Sequence, residues 1–533
     1  MPFDEPSRPT ELTQELRLAT TMTGGVSLAI WMAGVAREIN LLAQASEWRR
    51  LGGTFPTRRV LTNSSAASLK LYAELIDLLD MIVDVDILSG TSAGGINAAL
   101  LASSRVTGSD LGGLRDLWLD LGALTDLIRD PTDKSTPSLM YGDERMFAVL
   151  AEQLPKLDPG PFPPAAFPEN ARTRSTTLYV TTTLLTGETG RFTDSFGTLV
   201  QDVDRRGLFT FTESELARED TYSALALAAR SSASFPLAFE PSFVPFTKGT
   251  PEKGDVPARP AMADFANITR PHWVADGGLL DNQPIDVLLK RVFDRPAQRP
   301  VRRVLLFVVP SSGPAPNLLE EAPQDHVDQP LGLVDGLLKD LAAVTTQSIA
   351  ADLRAIRAHQ DRMEARTDTR LRLAELAGRL DSRLLTTSLL TDYRTREATK
   401  QAHALTGVLL RQLSTWPPES DLSTESIPES IPMNWEAQLR VGGDAEKVCR
   451  RKITESILHR WPGQPLPENP AELAQYSQPA LDLAKGCALT IAQAAYQLAK
   501  TKTDFTALAR LTAGIHKACE PPVSPNHQAY KPP

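Results

Sequence analysis

One stretch of the chain decides its fold: Asp84-Val85-Asp86-Ile87-Leu88-Ser89-Gly90-Thr91-Ser92-Ala93-Gly94-Gly95-Ile96-Asn97-Ala98-Ala99-Leu100-Leu101. It opens in a largely apolar run of strand length, crowds small residues into five positions, and continues as small apolar residues. This order predicts a strand, a sharp turn and a helix. Gly90-Thr91-Ser92-Ala93-Gly94 fits the Gly-x-Ser-x-Gly nucleophile elbow, where flanking glycines let strand and helix pass closely. Ser92 is therefore a candidate nucleophile, and an ordinary glycine-rich turn is the alternative.

A similar pattern comes earlier in the chain. Residues 16–22 predict the first buried strand, and Thr23-Gly24-Gly25-Val26-Ser27 opens a helix that runs towards Leu42. A Gly-Gly turn at a helix start exposes backbone N–H groups, which an oxyanion hole requires. A plain strand–helix turn is the alternative here too.

Strand and helix patterns alternate as far as Pro310. Helices are predicted over 69–79, 111–127, 146–154 and 222–230, and strands over 176–185, 208–211, 273–274 and 304–309. In the first of these helices, Leu71, Leu75 and Leu78 share one face. Loops are predicted over 52–67, 159–168 and 248–269, with a turn at Gly187. The alternation predicts an α/β fold with a mostly parallel sheet and helices on both faces.

The character of the sequence changes after Pro310. Residues 311–330 are rich in proline and acidic side chains, and the patterns that follow are helical over 331–362, 366–385, 391–413, 445–461, 470–500 and 505–519. A chain of 533 residues is expected to form two domains. We predict an N-terminal extension (1–14), an α/β domain (15–312), a linker (313–330), an all-α C-terminal domain (331–519) and a disordered tail (520–533).

Charge and cysteine content narrow the classes of function. The net charge of −9 argues against a nucleic-acid binder that works through a broad basic field. Cys449, Cys487 and Cys519 lie far apart without metal-ligand spacing, which favours a reducing compartment. The N-terminus lacks the order of a secretory signal, and the apolar run 26–36 is too short to span a membrane. We expect a cytoplasmic protein, compatible with peripheral membrane contact. The sequence sets no oligomeric state.

A nucleophilic serine needs a group that removes its proton. His272 is the one histidine in the α/β part, and an isolated histidine at a strand end is more often structural than catalytic. A carboxylate can instead act directly on the serine, in a dyad. Asp276 follows a short apolar segment and precedes Gly277-Gly278, so it lies at a strand end where the chain turns tightly. Asp276 is the candidate base, and a turn-forming Asp-Gly-Gly is the alternative.

Three segments, taken in this order, resemble the patatin-like phospholipases. They are Gly24-Gly25-Val26, Gly90-Thr91-Ser92-Ala93-Gly94 and Asp276-Gly277-Gly278. The segment from residue 226 to 241, with Ser231-Ser232-Ala233, also looks like the family's. The resemblance covers residues 12–310, and the long helical C-terminal region is similar to that of a bacterial subgroup of patatin-related proteins.

The resemblance implies a three-layer patatin-like fold and a function. Ser92 would be the nucleophile, Asp276 the general base, and Gly24, Gly25 and Val26 the oxyanion hole. The reaction would be metal-free and cofactor-free hydrolysis of the acyl ester bond of a phospholipid or other lipid ester.

The first glycine loop departs from the family's Asp-Gly-Gly-Gly-x-Arg-Gly pattern. Thr23 stands for the Asp, Val26 for the third Gly, Leu28 for the Arg and Ala29 for the last Gly. Backbone N–H groups do not depend on side chains, so an oxyanion hole survives in principle. These differences motivate a second hypothesis, a patatin fold that serves as a regulatory or interaction module. Acyl transfer by the same dyad to an acceptor other than water is a third. Phe243, Phe246 and the 248–269 loop are candidate membrane contacts, with ordinary packing as the alternative.

Overall fold

The structure is a computed structural model. It describes residues 9, 13–25, 29–53, 63–121, 124–130, 132, 136–158, 160, 176–193, 199–292, 301–310, 332, 336, 350–379, 382–414, 443–460, 469–476 and 478–519. The predicted linker (313–330) and tail (520–533), most of the predicted N-terminal extension, the predicted loop 159–168 apart from Gly160, and Val26 lie outside the described residues.

The described strands of the α/β part form one mixed sheet. They are β1 (Gln14–Met22), β2 (Met81–Gly90), β3 (Thr177–Thr193), β4 (Leu199–Phe211), β5 (Ser242–Val244), β6 (His272–Asp276) and β7 (Val301–Val308). The order across the sheet is β5-β6-β3-β2-β1-β7, and β4 pairs with β3. The pairs β1–β2, β1–β7 and β2–β3 are parallel, whereas β6 is antiparallel to both β3 and β5. Gly90 at the end of β2 pairs with Met22 of β1 and with Val180 of β3, and Asp276 at the end of β6 pairs with Thr182, two residues further along β3. This register places the ends of β1, β2 and β6 close together, although β6 runs in the opposite direction.

Helices pack on both faces of this sheet. They are α1 (Ala29–Arg50), α2 (Asn63–Leu78), α3 (Ala93–Thr107), α4 (Leu114–Leu121), α5 (Leu124–Leu127), α6 (Ala148–Gln153), α7 (Glu213–Leu216), α8 (Tyr222–Ser232) and α9 (Ile285–Val292). Leu18 of β1 belongs to the large core that α1, α3 and α8 cover. The next residue, Ala19, belongs to a smaller cluster with Leu288 of α9. Successive strand residues point to opposite faces, so α9 covers the second face.

A bulge in β2 changes which residues face each core. Leu18 pairs with Val85 but Ala19 pairs with Ile87, so Asp86 is the extra residue. The Asp86 side chain is fully buried, and both of its oxygens accept hydrogen bonds from Arg303 of β7, at 2.6 and 2.7 Å. A buried carboxylate needs such a partner, and this pair ties β2 to β7 across β1.

The predicted fold class is confirmed, with local differences. Helix α2 begins at Asn63, inside the predicted loop, because its serines and alanines continue a helix that the sequence pattern assigned to a turn. Strand β3 passes through the predicted turn at Gly187, which takes a left-handed φ of 66° without ending the strand. Strand β4 is longer than predicted, and β5 was not predicted because three residues carry no periodicity.

The buried face of α2 is not the one that its leucine spacing marks. Leu71, Leu75 and Leu78 do share a face, but all three are exposed. Leu69 and Ile76 are buried instead and pack in the main core. Helix α2 therefore has apolar residues on two sides, and its own periodicity does not tell which side packs.

Two compact units divide the chain. The first comprises residues 1–189 and 203–358, and the second residues 190–202 and 359–533. The second unit carries helix Ala350–Arg379 from residue 359 onward. Its other helices are Ser382–Ser414, Asp444–Arg460, Pro470–Tyr476, Gln478–Leu498 and Lys502–Ala518. Helix Ala350–Arg379 is continuous where two patterns were predicted. Within the described part of the chain, no helix has both the length and the apolar character needed to cross a bilayer.

Candidate active site

The turn between β2 and α3 has the geometry of a strained elbow. Ser92 takes φ 56° and ψ −129°, a conformation that L-residues rarely adopt. A Cβ atom on Gly90 would lie 2.5 Å from the carbonyl oxygen of Gly94. A Cβ atom on Gly94 would lie 2.5 Å from the carbonyl oxygen of Thr23 at the end of β1. Both glycines are therefore required by close backbone approach.

The structure brings Ser92 and Asp276 together from positions 184 residues apart. The Ser92 hydroxyl donates a hydrogen bond to Asp276 Oδ2 at 2.7 Å. Ser92 occupies the N-cap position of α3, yet its side chain makes no capping hydrogen bond. Both side chains are buried, at 5% and 2% exposure. The hydroxyl proton thus already points at a carboxylate oxygen.

Neighbouring groups fix the Asp276 carboxylate. Its other oxygen, Oδ1, accepts the N–H of Gly278 at 2.8 Å. Its backbone N–H donates to the carbonyl of Ser234 at 2.9 Å, and its backbone carbonyl accepts the Thr183 hydroxyl at 2.8 Å. These three partners lie in the turn that follows β6, on the segment after α8, and on β3. The carboxylate therefore has one orientation, towards Ser92.

Burial changes the acidity of this carboxyl group. Loss of solvent raises the pKa of Asp276 to about 6, against the opposing effects of the Ser92 hydroxyl, the Gly278 N–H and the positive charge of Arg230. A carboxylate with a pKa near 6 is a stronger base than a free aspartate and is still ionised at neutral pH. These are the properties that a general base needs.

The first glycine loop lies against the same site. A Cβ atom on Gly24 would stand 3.0 Å from the Ser92 Cβ, so the loop passes beside the candidate nucleophile. The Gly24 N–H donates to the side-chain oxygen Oδ1 of Asn282 at 3.0 Å. A backbone N–H can only donate, so the amide oxygen must face it. Gly25 follows against the ring of Pro310, and Val26 falls outside the described residues.

The remaining motif residues support the turns. The Thr91 hydroxyl contacts the Thr181 hydroxyl at 2.6 Å and donates to the carbonyl of Asp281 at 3.0 Å. Ala93 is buried as the first residue of α3. A Cβ atom on Gly277 would lie 2.5 Å from Thr181, so β3 and the turn after β6 pack backbone to backbone.

His272 has a different environment. Its Nε2 lies 2.9 Å from a Glu188 carboxylate oxygen, and its Nδ1 lies 3.0 Å from the Thr186 hydroxyl. The imidazole ties β6 to β3 below the site. This agrees with the structural role that the sequence favoured for it.

The candidate membrane contacts pack against the protein. The Phe243 ring lies 5.2 Å from the ring of Trp273, and Phe246 packs against the main core. The 248–269 loop carries its own hydrogen bonds, such as that from Met262 N–H to the carbonyl of Phe246 at 3.0 Å. Among the described residues, no group of three or more His, Cys, Asp or Glu side chains is arranged to hold a metal ion.

Sequence reasoning gave no role to three polar residues of the site. Asn282 lies four residues beyond Gly278, in the same turn segment. Ser232 belongs to the segment noted for its resemblance, and its hydroxyl accepts the Ser92 N–H at 2.8 Å. Arg230 is fully buried at the end of α8. A signal for Arg230 was present, because it is the one charged residue in an otherwise small and apolar helix.

Comparison of the sequence with known proteins identifies a family and a relative. The sequence profile of the family described as patatin-like phospholipase matches residues 21–289, just over half of the chain. An uncharacterized membrane protein of Mycobacterium tuberculosis (strain ATCC 25618 / H37Rv), Rv3479, is 76% identical over 527 residues. That match covers 98% of this chain and 48% of the relative, so the chain spans about half the length of that protein.

Among solved structures, the crystal structure of the type III effector protein ExoU aligns over 97% of this chain and 95% of that one. The identity is 15% and the TM-score 0.16, too low to support a structural argument. The profile match extends from the end of β1 to the middle of α9 and so includes the elbow, the Asp276 turn and Asn282. This chain belongs to the patatin-like phospholipase family.

Proposed function

We propose that this protein is a lipid acyl hydrolase that cleaves carboxylic esters with Ser92 as nucleophile and Asp276 as general base. Members of a lipid hydrolase family share the profile that the chain matches. The observation that carries the proposal is the 2.7 Å hydrogen bond from the Ser92 hydroxyl to Asp276 Oδ2 in a buried site. Since a nucleophile and its base must lie within hydrogen-bond reach, this contact meets the first geometric requirement.

The reaction follows from the positions of these groups. Asp276 takes the hydroxyl proton as Ser92 Oγ bonds to the ester carbonyl carbon, and the carbonyl oxygen becomes an oxyanion. Collapse of this intermediate breaks the bond to the alcohol, which leaves with the proton from Asp276. A water molecule then attacks the acyl-enzyme while Asp276 accepts its proton, and Ser92 recovers its hydrogen as the fatty acid leaves.

The N–H groups of Gly24 and Gly25 are the proposed oxyanion donors. In the free protein the Gly24 N–H is bound to Asn282 Oδ1 at 3.0 Å. The oxyanion must therefore replace the Asn282 oxygen at this N–H as negative charge develops. An oxyanion binds such a donor more strongly than a neutral amide oxygen does, so the exchange favours the transition state over the ground state.

The substrate class rests on the family and on the site together. A phospholipid or other lipid ester presents its carbonyl at a membrane surface, so peripheral membrane contact is part of the proposal. Acyl transfer to an added alcohol would use the same acyl-enzyme, and it differs only in which hydroxyl attacks it.

The proposal is tested with wild type, Ser92→Ala, Asp276→Asn and His272→Gln. Each is assayed on phospholipid vesicles and on p-nitrophenyl esters, and each is treated with a fluorophosphonate probe. We expect Ser92→Ala to lose both labelling and turnover, and Asp276→Asn to lose about 10²–10⁴-fold in kcat. His272→Gln keeps labelling, because its ring contacts Glu188 and Thr186.

Two outcomes contradict the proposal. Turnover at the wild-type rate in Ser92→Ala or Asp276→Asn would remove the dyad. A folded wild-type protein that neither reacts with the probe nor turns over any lipid class would favour the regulatory or interaction module instead. Product that forms only when an alcohol is added would identify acyl transfer.

A further inference from the structure

The end of helix α8 contacts both members of the proposed dyad. The Ser232 hydroxyl oxygen accepts the backbone N–H of Ser92 at 2.8 Å. Two residues later, the Ser234 carbonyl accepts the backbone N–H of Asp276 at 2.9 Å. Ser232 and Ser234 are buried, at 0% and 1% exposure. A three-residue segment thus bonds the backbone of the candidate nucleophile and that of the candidate base.

The Ser92 N–H has particular need of this partner. Strand pairing at the end of β2 stops with the Thr91 N–H, which donates to the carbonyl of Met22 at 3.1 Å. Ser92 comes next, at the N-cap of α3, where N–H groups have no partner within the helix. Its φ of 56° is strained, and a strained backbone persists only when its surroundings hold it. The Ser232 hydroxyl supplies that constraint, because it accepts the buried Ser92 N–H that neither β2 nor α3 bonds.

Arg230 fixes the segment from its other side. Its Nη1 donates to the Ser234 hydroxyl at 2.6 Å, and its Nη2 donates to the carbonyl of Glu240 at 2.9 Å. The guanidinium also pairs with the Asp143 and Glu240 carboxylates, each at 3.3 Å. A fully buried, multiply bonded arginine leaves the end of α8 little freedom to move.

We propose that Ser232 is a positioning residue for the proposed reaction: its hydroxyl holds the Ser92 backbone in the strained conformation that directs Oγ towards Asp276. This rests on the proposed function of the dyad. Loss of the Ser232 hydroxyl therefore lowers the rate of attack and leaves substrate binding largely unchanged.

Ser231 is a matched control. It precedes Ser232 on the same helix and is equally buried, at 0% exposure. Its hydroxyl donates to the Ser242 hydroxyl of β5 at 3.2 Å, away from the backbone N–H of Ser92. Ser231→Ala and Ser232→Ala therefore each remove one buried hydroxyl group, but only the second removes the partner of the Ser92 N–H.

The experiment measures fluorophosphonate labelling rates, kcat and KM on a p-nitrophenyl ester, and thermal unfolding for wild type, Ser231→Ala, Ser232→Ala and Ser232→Cys. We expect Ser232→Ala to lower kcat and the labelling rate constant about 10–100-fold with KM within about twofold, the range typical of lost positioning. Ser231→Ala keeps kcat and the labelling rate constant within about twofold of wild type. Its Tm falls by about as much as that of Ser232→Ala, because each variant loses one buried hydroxyl group. Ser232→Cys, whose thiol is a weak acceptor, gives an intermediate rate.

Equal labelling rates in Ser232→Ala and Ser231→Ala would overturn the positioning role while leaving the hydrolase proposal intact. If Ser232→Ala does not fold, a folded Ser232→Cys that reacts at the wild-type rate overturns it in the same way. Wild-type protein that is neither labelled nor active would overturn the proposed function, and the role of Ser232 with it.

Discussion

The elbow that carries Ser92 and the strand end that carries Asp276 hold their side chains in different ways. At Ser92 the decisive features are local: a positive φ, and two glycines that let backbone segments touch. At Asp276 they are distant: Ser92, Thr183 and Ser234 all come from other elements. The position of Ser92 depends on space for close backbone approach. The position of Asp276 depends on burial of its carboxylate and on the groups that hydrogen-bond to it. Substitutions that remove space should therefore damage the first side, and those that alter charge the second.

The largest effect is expected from Gly94→Ala, which breaks the local side of the comparison. The new Cβ would collide with the carbonyl oxygens of Met22 and Thr23, both backbone atoms that cannot rotate away. The elbow and the end of β1 must separate, so we expect no measurable ester turnover and a loss of about 1–3 kcal/mol or more in unfolding free energy.

Gly34→Ala in α1 is the control for that substitution. Nothing lies within 4 Å of the position that its Cβ would take, so we expect unchanged turnover and a stability gain of up to about 1 kcal/mol. Both quantities are read from ester kinetics and denaturant unfolding. An active Gly94→Ala enzyme would mean that the elbow does not depend on close backbone packing.

The elbow could be predicted from the sequence because it requires glycine at fixed positions, which is also why we expect Gly94→Ala to disrupt it. The steric requirement falls on glycines within one five-residue segment, although the backbone that Gly94 faces belongs to residues 22 and 23. It therefore appears as a five-residue pattern, and Gly90, Ser92 and Gly94 lie where that pattern puts them. The α/β alternation is equally local, because each strand and helix shows its own periodicity. Sheet order and the pairing of β6 with β3 could not be predicted, since they depend on contacts between segments nearly a hundred residues apart.

The contacts around Asp276 were less visible in the sequence. Asp276 was a candidate because a glycine pair follows it, but its pKa depends on burial by elements that share no pattern with it. Asn282 and Ser232 are ordinary polar residues until the fold places them beside Gly24 and Ser92. The face of α2 that packs was likewise decided by its neighbours and not by its leucine spacing.

An intermediate effect is expected at Asn282, which lies between the two sides. Asn282→Asp keeps the shape but sets a carboxylate against the Gly24 N–H, the proposed oxyanion donor. The carboxylate holds that N–H more tightly and repels the oxyanion, so we expect kcat to fall about 10²–10³-fold, the cost of losing one donor. The like charge also raises the pKa of Asp276 further, which moves the acidic limb of the pH–rate profile upward.

Asn282→Ala separates charge from shape at this position. It frees the Gly24 N–H without adding charge, so we expect its kcat to lie within about tenfold of wild type. Steady-state kinetics from pH 5 to 9 compare the two variants. If they have the same kcat across this range, the Gly24 N–H does not meet developing negative charge.

The smallest effect is expected in the pH dependence of the unfolding free energy, and it tests only the burial of the Asp276 carboxylate. Burial raises the pKa of Asp276 from 3.8 to about 6 in the folded protein. The folded state therefore binds a proton more tightly than the unfolded state, and stability from this group falls as pH rises through that window. Since one pKa unit corresponds to about 1.4 kcal/mol, the ionised carboxylate destabilises the native state above pH 6 by about 2–3 kcal/mol.

Asp276→Asn cannot ionise, so it escapes this loss. Its amide can still accept the Gly278 N–H and donate to Ser92 Oγ, which then serves as the acceptor. We expect its unfolding free energy, relative to wild type, to be about 2–3 kcal/mol higher at pH 8 than at pH 3.5, measured by denaturant titration across the range. Ser92→Ala keeps the carboxylate but removes a hydroxyl that lowers its pKa, so its stability must still fall as pH rises, over a window that extends to higher pH. If the difference in unfolding free energy between Asp276→Asn and wild type does not change with pH, Asp276 ionises as freely in the folded protein as in the unfolded chain. Buried charge would then not distinguish the Asp276 side of the site from the Ser92 side.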